Sequence, residues 1–142
     1  MRAPDDGSPH IEQRFAEYVD TPADAELLSG EALLHTDWHP DNVLIVSGAA
    51  RLVDWAWPTR GAPWIDAACW VVWLVSAGHT VPDAEQWAAT TSAWSSASRR
   101  ALDVFASAQE RLWVGIAADA SDVAWIQGLA AAARKWAAYR RA

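Results

Sequence analysis

His35-Thr36-Asp37-Trp38-His39-Pro40-Asp41-Asn42 leads into the apolar run Val43-Leu44-Ile45-Val46, a Ser47-Gly48 turn, and then Leu52-Val53-Asp54-Trp55. Two short, β-prone runs, Asn42 to Val46 and Arg51 to Trp55, with Ser47-Gly48-Ala49-Ala50 between them, read as a β-hairpin. Folding at Ser47-Gly48 returns Asp54 to the end of the ladder where Asn42 sits. Asp37 lies in the loop between the short apolar entry Ala32-Leu33-Leu34 and that ladder. An amide oxygen and a carboxylate at one end of a hairpin suit a hard divalent cation. A second carboxylate nearby suits a hydroxyl that must lose its proton.

Together these requirements describe phosphoryl transfer. The reaction asks the protein for positioning, for a base toward the attacking hydroxyl, and for magnesium ligands that bring phosphate charge under control. In this reading Asp37 takes the hydroxyl proton, while Asn42 and Asp54 hold magnesium. His35 hydrogen-bonds the backbone near Asp54 and fixes the loop. Asp66, at the start of a later helix, accepts backbone N–H groups from the same loop, a favourable place for a carboxylate. His39 faces either substrate or solvent. The bland alternative makes Asp37 and Asp54 ordinary turn and strand-end residues, and an isolated HxDxxxxN pattern carries little weight. A loop, a hairpin ending in Asp and an Asp-led apolar helix, in that order, are harder to obtain by accident.

The surroundings fit one α+β domain, mainly α. With 142 residues and 52% hydrophobic content, the chain suffices for one core and hardly for two. Residues 1–10 are rich in Pro, Gly and Asp and read as a loose terminus; residues 11–142 form the domain. Ile11, Phe15, Tyr18 and Val19 mark a short amphipathic helix, and Thr21-Pro22 caps and opens another. Residues 56–63 hold two prolines and a glycine and read as a loop. Residues 64–77 are apolar on nearly every face and read as a fully buried helix closed by Gly78. Helices follow from Pro82, over Arg99 to Ile116, and from a Ser121-Asp122 cap to the C-terminus.

Charge and composition narrow the function. A net charge of −7 argues against a nucleic-acid partner, since phosphate contacts need a basic face. The single cysteine, Cys69, excludes an internal disulfide and sits in an apolar run as a buried thiol. The longest apolar run, 67–77, falls short of the ~20 residues that span a bilayer, and the N-terminus has no apolar signal region. These features point to a cytoplasmic protein with no membrane partner. Eleven tryptophans are unusual for this length; most read as core, with Trp38, Trp55, Trp57 and Trp64 near enough to the motif to wall a pocket.

The central motif resembles the catalytic and metal-binding loops of the aminoglycoside phosphotransferase family, whose members include choline-kinase-like and other small-molecule kinases related in fold to protein kinases. Gly61-Ala62-Pro63-Trp64-Ile65-Asp66-Ala67-Ala68 resembles the family's next segment, in which an Asp opens a buried helix. The resemblance implies a protein-kinase-like C-terminal lobe, with Asp37 as catalytic base, Asn42 and Asp54 as magnesium ligands, and ATP or another nucleoside triphosphate as donor. Thr36 stands where the family usually has Gly. The helices beyond Gly78 match only in general character.

Other parts of such a kinase have no counterpart in this sequence. The glycines are scattered without a GxGxxG, and the only lysine is Lys135, far from any strand. The expectation is therefore a C-terminal lobe without its N-terminal nucleotide lobe, with Arg51 or Arg60 as substitute phosphate cations. The acceptor would be a small hydroxylated molecule, a cationic one among the candidates. Asp103, Glu110, Asp119 and Asp122 are the acidic side chains available to attract it. Completion by a separate N-lobe partner or by self-association is implied. Two other functions compete: a non-catalytic, kinase-like binding module, and a metal-dependent hydrolase that lacks the extra ligands a two-metal site wants.

Overall fold

Threonines and serines placed just ahead of prolines and apolar residues set the helix starts, in a computed structural model that describes residues 7–55 and 58–142. Thr21 accepts from Asp24 N at 3.1 Å ahead of Pro22. Thr80 accepts from Asp83 N at 3.2 Å ahead of Pro82, and Ser98 accepts from Ala101 N at 3.0 Å. Each side-chain oxygen satisfies a donor that the first turn leaves without a partner, while Pro sacrifices none.

The resulting helices are α1 (Ile11–Arg14), α2 (Pro22–Glu26), α3 (Ile65–Ser76), α4 (Val81–Ala88), α5 (Arg99–Ala118) and α6 (Ala124–Arg141). The architecture is α+β and mainly helical. Four strands, β1 (Ala32–Leu34), β2 (Val43–Val46), β3 (Ala49–Leu52) and β4 (Thr59–Gly61), form two small antiparallel sheets, β1 with β4 and β2 with β3. No helix among the described residues is long and apolar enough to cross a membrane.

The body of the molecule is the packing of α5 on α6, with α3 laid against α6 and α4. Ala101, Ala106 and Ala108 of α5 and Ala130, Ala132, Ala133 and Ala137 of α6 are all buried, so small side chains let the two helices approach closely. Phe105 and Trp136 fill the space between them, with ring centroids 6.1 Å apart. The Trp136 indole N–H donates to Glu85 Oε1 at 2.9 Å, and Arg140 reaches both Glu85 and Asp103 at 2.6 Å. Burial by itself would lower the Arg140 guanidinium pKa; its bonds to Asp103 and Glu85 outweigh that and raise it. These contacts pin α4, α5 and α6 at one place.

Several expectations are met and several corrected. The hairpin turns at Ser47-Gly48, with φ of 51° and 76°, the pair of positive values that a two-residue turn matching strand twist needs; its second strand is Ala49–Leu52 rather than Arg51–Trp55, because the tight turn draws Ala49 and Ala50 into the ladder. Gly78, at φ 107°, closes α3. The stretch expected to be one loop, 56–63, instead contains β4, whose register pairs Leu33 with Arg60. Ala56 and Trp57 lie outside the described residues. A Cβ on Gly61 would stand 2.8 Å from both Ile11 Cγ2 and Leu34 Cδ1, so the glycine marks a close approach rather than a turn. Pro9 O accepts from Arg60 N at 2.8 Å and His10 bridges Arg60, which ties the end of the presumed loose terminus to the sheet; residues 1–6 lie outside the described set.

The helix expected over 11–19 breaks after Arg14, continuing as a 3-10 turn over Ala16–Tyr18. Helix α6 starts at Ala124 with Val123 as its cap residue, not at Ser121-Asp122. Helix α3 buries Ile65, Ala67, Ala68, Val71, Val72 and Val75, yet Trp70, Trp73 and Leu74 stay half-buried on a separate face. Phe105 is fully buried at the centre of this packing. Phe105→Ala should lower unfolding free energy by about 3–5 kcal/mol, read as a shift in urea midpoint at unchanged slope.

Candidate functional site

Burial makes α3 rigid, and its first turn holds the loop that follows β1. Asp66 Oδ2 accepts from His35 N at 2.9 Å. Its Oδ1 accepts from Thr36 N at 3.0 Å and from the Trp38 indole Nε1 at 3.1 Å. One carboxylate thus fixes both edges of the turn carrying Asp37, and its position in the first turn of α3 favours negative charge. This is the role the sequence assigned to Asp66.

His35 forms the second tie. It is fully buried, its Nε2 lies 2.8 Å from Val53 O, and its Nδ1 accepts from Asp37 N at 3.2 Å. The Nδ1 contact places the ring proton on Nε2, which donates to Val53 O. His35 therefore couples the Asp37 backbone to the strand-end residue just before Asp54, as anticipated. Its ring also meets Trp55 edge-on at 4.6 Å.

Asn42 closes the frame. It is buried, its Nδ2 donates to Asp37 O at 3.1 Å, and its own carbonyl accepts from Val53 N at 2.9 Å. Occupation of Nδ2 sets the amide orientation and leaves Oδ1 as the acceptor face. The last ladder pair is Val43 with Leu52, so Asn42 and Asp54 stand at the same open end of the hairpin. Asp54 is exposed and Asp37 half-buried. Among the described residues, no group of three or more His, Cys, Asp or Glu side chains is placed to hold a metal ion. The donor set at the hairpin's end, one amide oxygen and one carboxylate, has the oxygen chemistry of a magnesium site that draws few ligands from protein.

Two backbone positions in this frame are left-handed without being glycine: Thr36 at φ 63° and Asp54 at φ 59°. A β-branched residue in that region is strained, which explains why glycine suits the position of Thr36. Arg14 compensates: Nη1 donates to Thr36 Oγ1 at 2.7 Å and to Thr59 Oγ1 at 3.0 Å. Burial lowers the Arg14 pKa, against the opposing influence of Cys69 and Asp37. Arg14 is a cation beside Asp37 that sequence reasoning missed, because the bond to Thr36 spans 22 positions and no local pattern signals it. Of the cations proposed instead, Arg60 bonds Glu31 O at 3.1 Å and Arg51 is an exposed β3 residue. Burial pushes the Cys69 thiol far up, so it stays protonated and inert.

His39 is half-buried and keeps part of its ring in solvent. Its ring packs edge-on against Trp73 and Trp125, at 5.6 and 5.0 Å, and its Nδ1 accepts from Asp41 N at 3.1 Å. Of the tryptophans expected near the motif, Trp64 is core against Phe105, Trp55 lies on His35, and Trp57 lies outside the described residues. Among the described ones, Trp38 lines a cavity; its partners there, Trp70, Trp73 and Trp87, come from α3 and α4. Of the four acidic residues offered for an acceptor, two are engaged by arginines: Asp103 binds Arg140, and Glu110 binds Arg141 at 3.1 Å.

Compared with models of known families, with curated proteins and with solved structures, the chain matches none.

Asp66→Asn replaces a charged acceptor and turns an N–H toward other N–H groups, so about 2 kcal/mol or more of stability should be lost, measured by urea unfolding. Thr36→Gly should be nearly neutral in the native background, where strain relief and loss of the Arg14 bond oppose each other. In an Arg14→Met background, where that bond is already gone, the same substitution should stabilise by about 0.5–1 kcal/mol.

Proposed function

We propose that this chain is the catalytic lobe of a magnesium- and ATP-dependent O-phosphotransferase acting on a small hydroxylated molecule, with a protein-kinase-like arrangement. The observation that carries the reading is the knitted frame around Asp37: Asp66 holds its loop, His35 links it to Val53, and Asn42 bonds its carbonyl. A turn residue without function would need no such ties from three separate elements.

In this reading Asp37 orients the acceptor hydroxyl and takes its proton as the oxygen attacks. Asn42 Oδ1 and the Asp54 carboxylate are the ligands for magnesium. Bound magnesium nucleotide supplies the phosphoryl group and the charge neutralisation that the transfer needs. Arg14, near Asp37, holds the Thr36 turn in place without touching the reacting atoms. His35 and Asp66 act through the backbone they hold.

A second reading, a non-catalytic module that binds a ligand or another chain, is favoured by the surface of the hairpin. Leu44, Ile45 and Val46 are exposed, Ile45 at 71%, and Trp55, just past the hairpin, is exposed as well. An apolar patch of this kind suits a contact surface. The two readings meet if that surface seats a separate nucleotide lobe, which would make the chain's activity conditional on its partner.

Titration of magnesium and ATP into the native chain and into Asp54→Ala separates them. The phosphotransferase reading expects magnesium-dependent nucleotide binding that Asp54→Ala removes; equal binding by both discards the metal assignment. Where turnover is measurable, Asp37→Asn should lower kcat by about 10²–10⁴ with little change in nucleotide affinity.

A further inference from the structure

Beside the Asp37 loop lies a cavity of about 500 Å3, within the size range of small-molecule sites. Trp38 and Pro40, which flank His39 on that loop, form one wall; Trp70, Trp73 and Leu74 of α3 form the second, and Trp87 of α4 the third. Trp38 and Trp70 meet at 84° with centroids 5.3 Å apart, so they make a corner of one ring face and one ring edge. Trp87 is 60% exposed and stands at the mouth. Among the described residues lining the cavity, none is charged. The hydroxyls are those of Ser76 and Thr90, and Thr90 Oγ1 already donates to Trp87 O at 2.6 Å.

From this we infer that the cavity is the acceptor site and that it takes a flat, uncharged, ring-bearing alcohol rather than a polyamine or an aminosugar. The inference rests on the phosphotransferase reading for the word acceptor, but not for the binding itself. A polycation in this cavity would lose water and gain no carboxylate, because no acidic side chain lines it among the described residues. A planar apolar ring, in contrast, gains stacking and edge contacts from perpendicular indoles and buries apolar area against the three walls. Trp38, the sequence neighbour of Asp37, is the part of the wall that ties this cavity to the Asp37 loop. A single quaternary ammonium is the competitor, since indole faces attract cations as well.

The test is a two-dimensional NMR titration of the full chain without nucleotide or metal, following the indole N–H signals. The probes are 2-naphthalenemethanol, choline and neamine. The expected result is that 2-naphthalenemethanol moves the Trp38, Trp70, Trp73 and Trp87 signals and leaves that of buried Trp136 in place. Trp87→Ala, at an exposed position, should weaken this binding about tenfold, with Trp87→Phe intermediate and the Trp136 signal reporting an intact core. Movement of the same signals by choline or neamine but not by 2-naphthalenemethanol overturns the inference, as does silence from all of them. Adding magnesium ATP to the bound probe then separates the two ideas. A probe that binds and is never phosphorylated, even with the chain shown to bind nucleotide, counts against the acceptor role and leaves the aromatic site standing.

Discussion

The Asp66 carboxylate is the contact on which the rest of the site depends. It sits on a helix that the core holds from both sides, and its two oxygens receive N–H groups from His35, Thr36 and Trp38. Hydrogen bonds to a charged acceptor are stronger than neutral ones and more directional. The loop needs that help, because its Thr36 occupies a backbone region that L-residues with a branched Cβ avoid. With the charge in place, the turn around Asp37 becomes part of α3; without it, a strained loop would relax and take Asp37 with it.

A second set of ties joins the loop to other elements. Arg14 of α1 bonds Thr36 and Thr59, linking the terminal helix, the Asp37 loop and the start of β4. His35 and Asn42 then join the loop to the hairpin through Val53 and Asp37 backbone groups. The hairpin itself contributes little to the core: its strand residues are mostly exposed. Its position therefore comes from these few polar contacts, and its exposed apolar side chains remain available to another surface. Trp38 donates to Asp66 and also walls the aromatic cavity, so one side chain belongs to both the Asp37 frame and that cavity.

The sequence was most legible where chemistry is local. Thr21-Pro22, Ser47-Gly48 and Gly78 specify a cap, a turn and a helix end by their own conformational preferences, and the structure places each as expected. The roles of His35 and Asp66 could be read because an Asp at a helix start and a buried His have few ways to satisfy their hydrogen bonds. Strand β4 was hidden by Pro58 and Pro63, which flank a segment too short to show alternation. Arg14 was hidden because its partners are distant in sequence, and the aromatic cavity because its walls come from a loop and two helices. Val123 displaced the Ser121-Asp122 cap because α6 begins after a turn that those two residues form instead.

The most direct test of the account uses manganese in place of magnesium, since its unpaired electrons broaden NMR signals only near the bound ion. With ATP present, the account predicts selective loss of the Asn42 side-chain amide and the Asp54 backbone amide signals, while amides of α5 and α6 stay sharp. Unchanged Asn42 and Asp54 signals at saturating manganese and nucleotide, or broadening centred elsewhere, would contradict it.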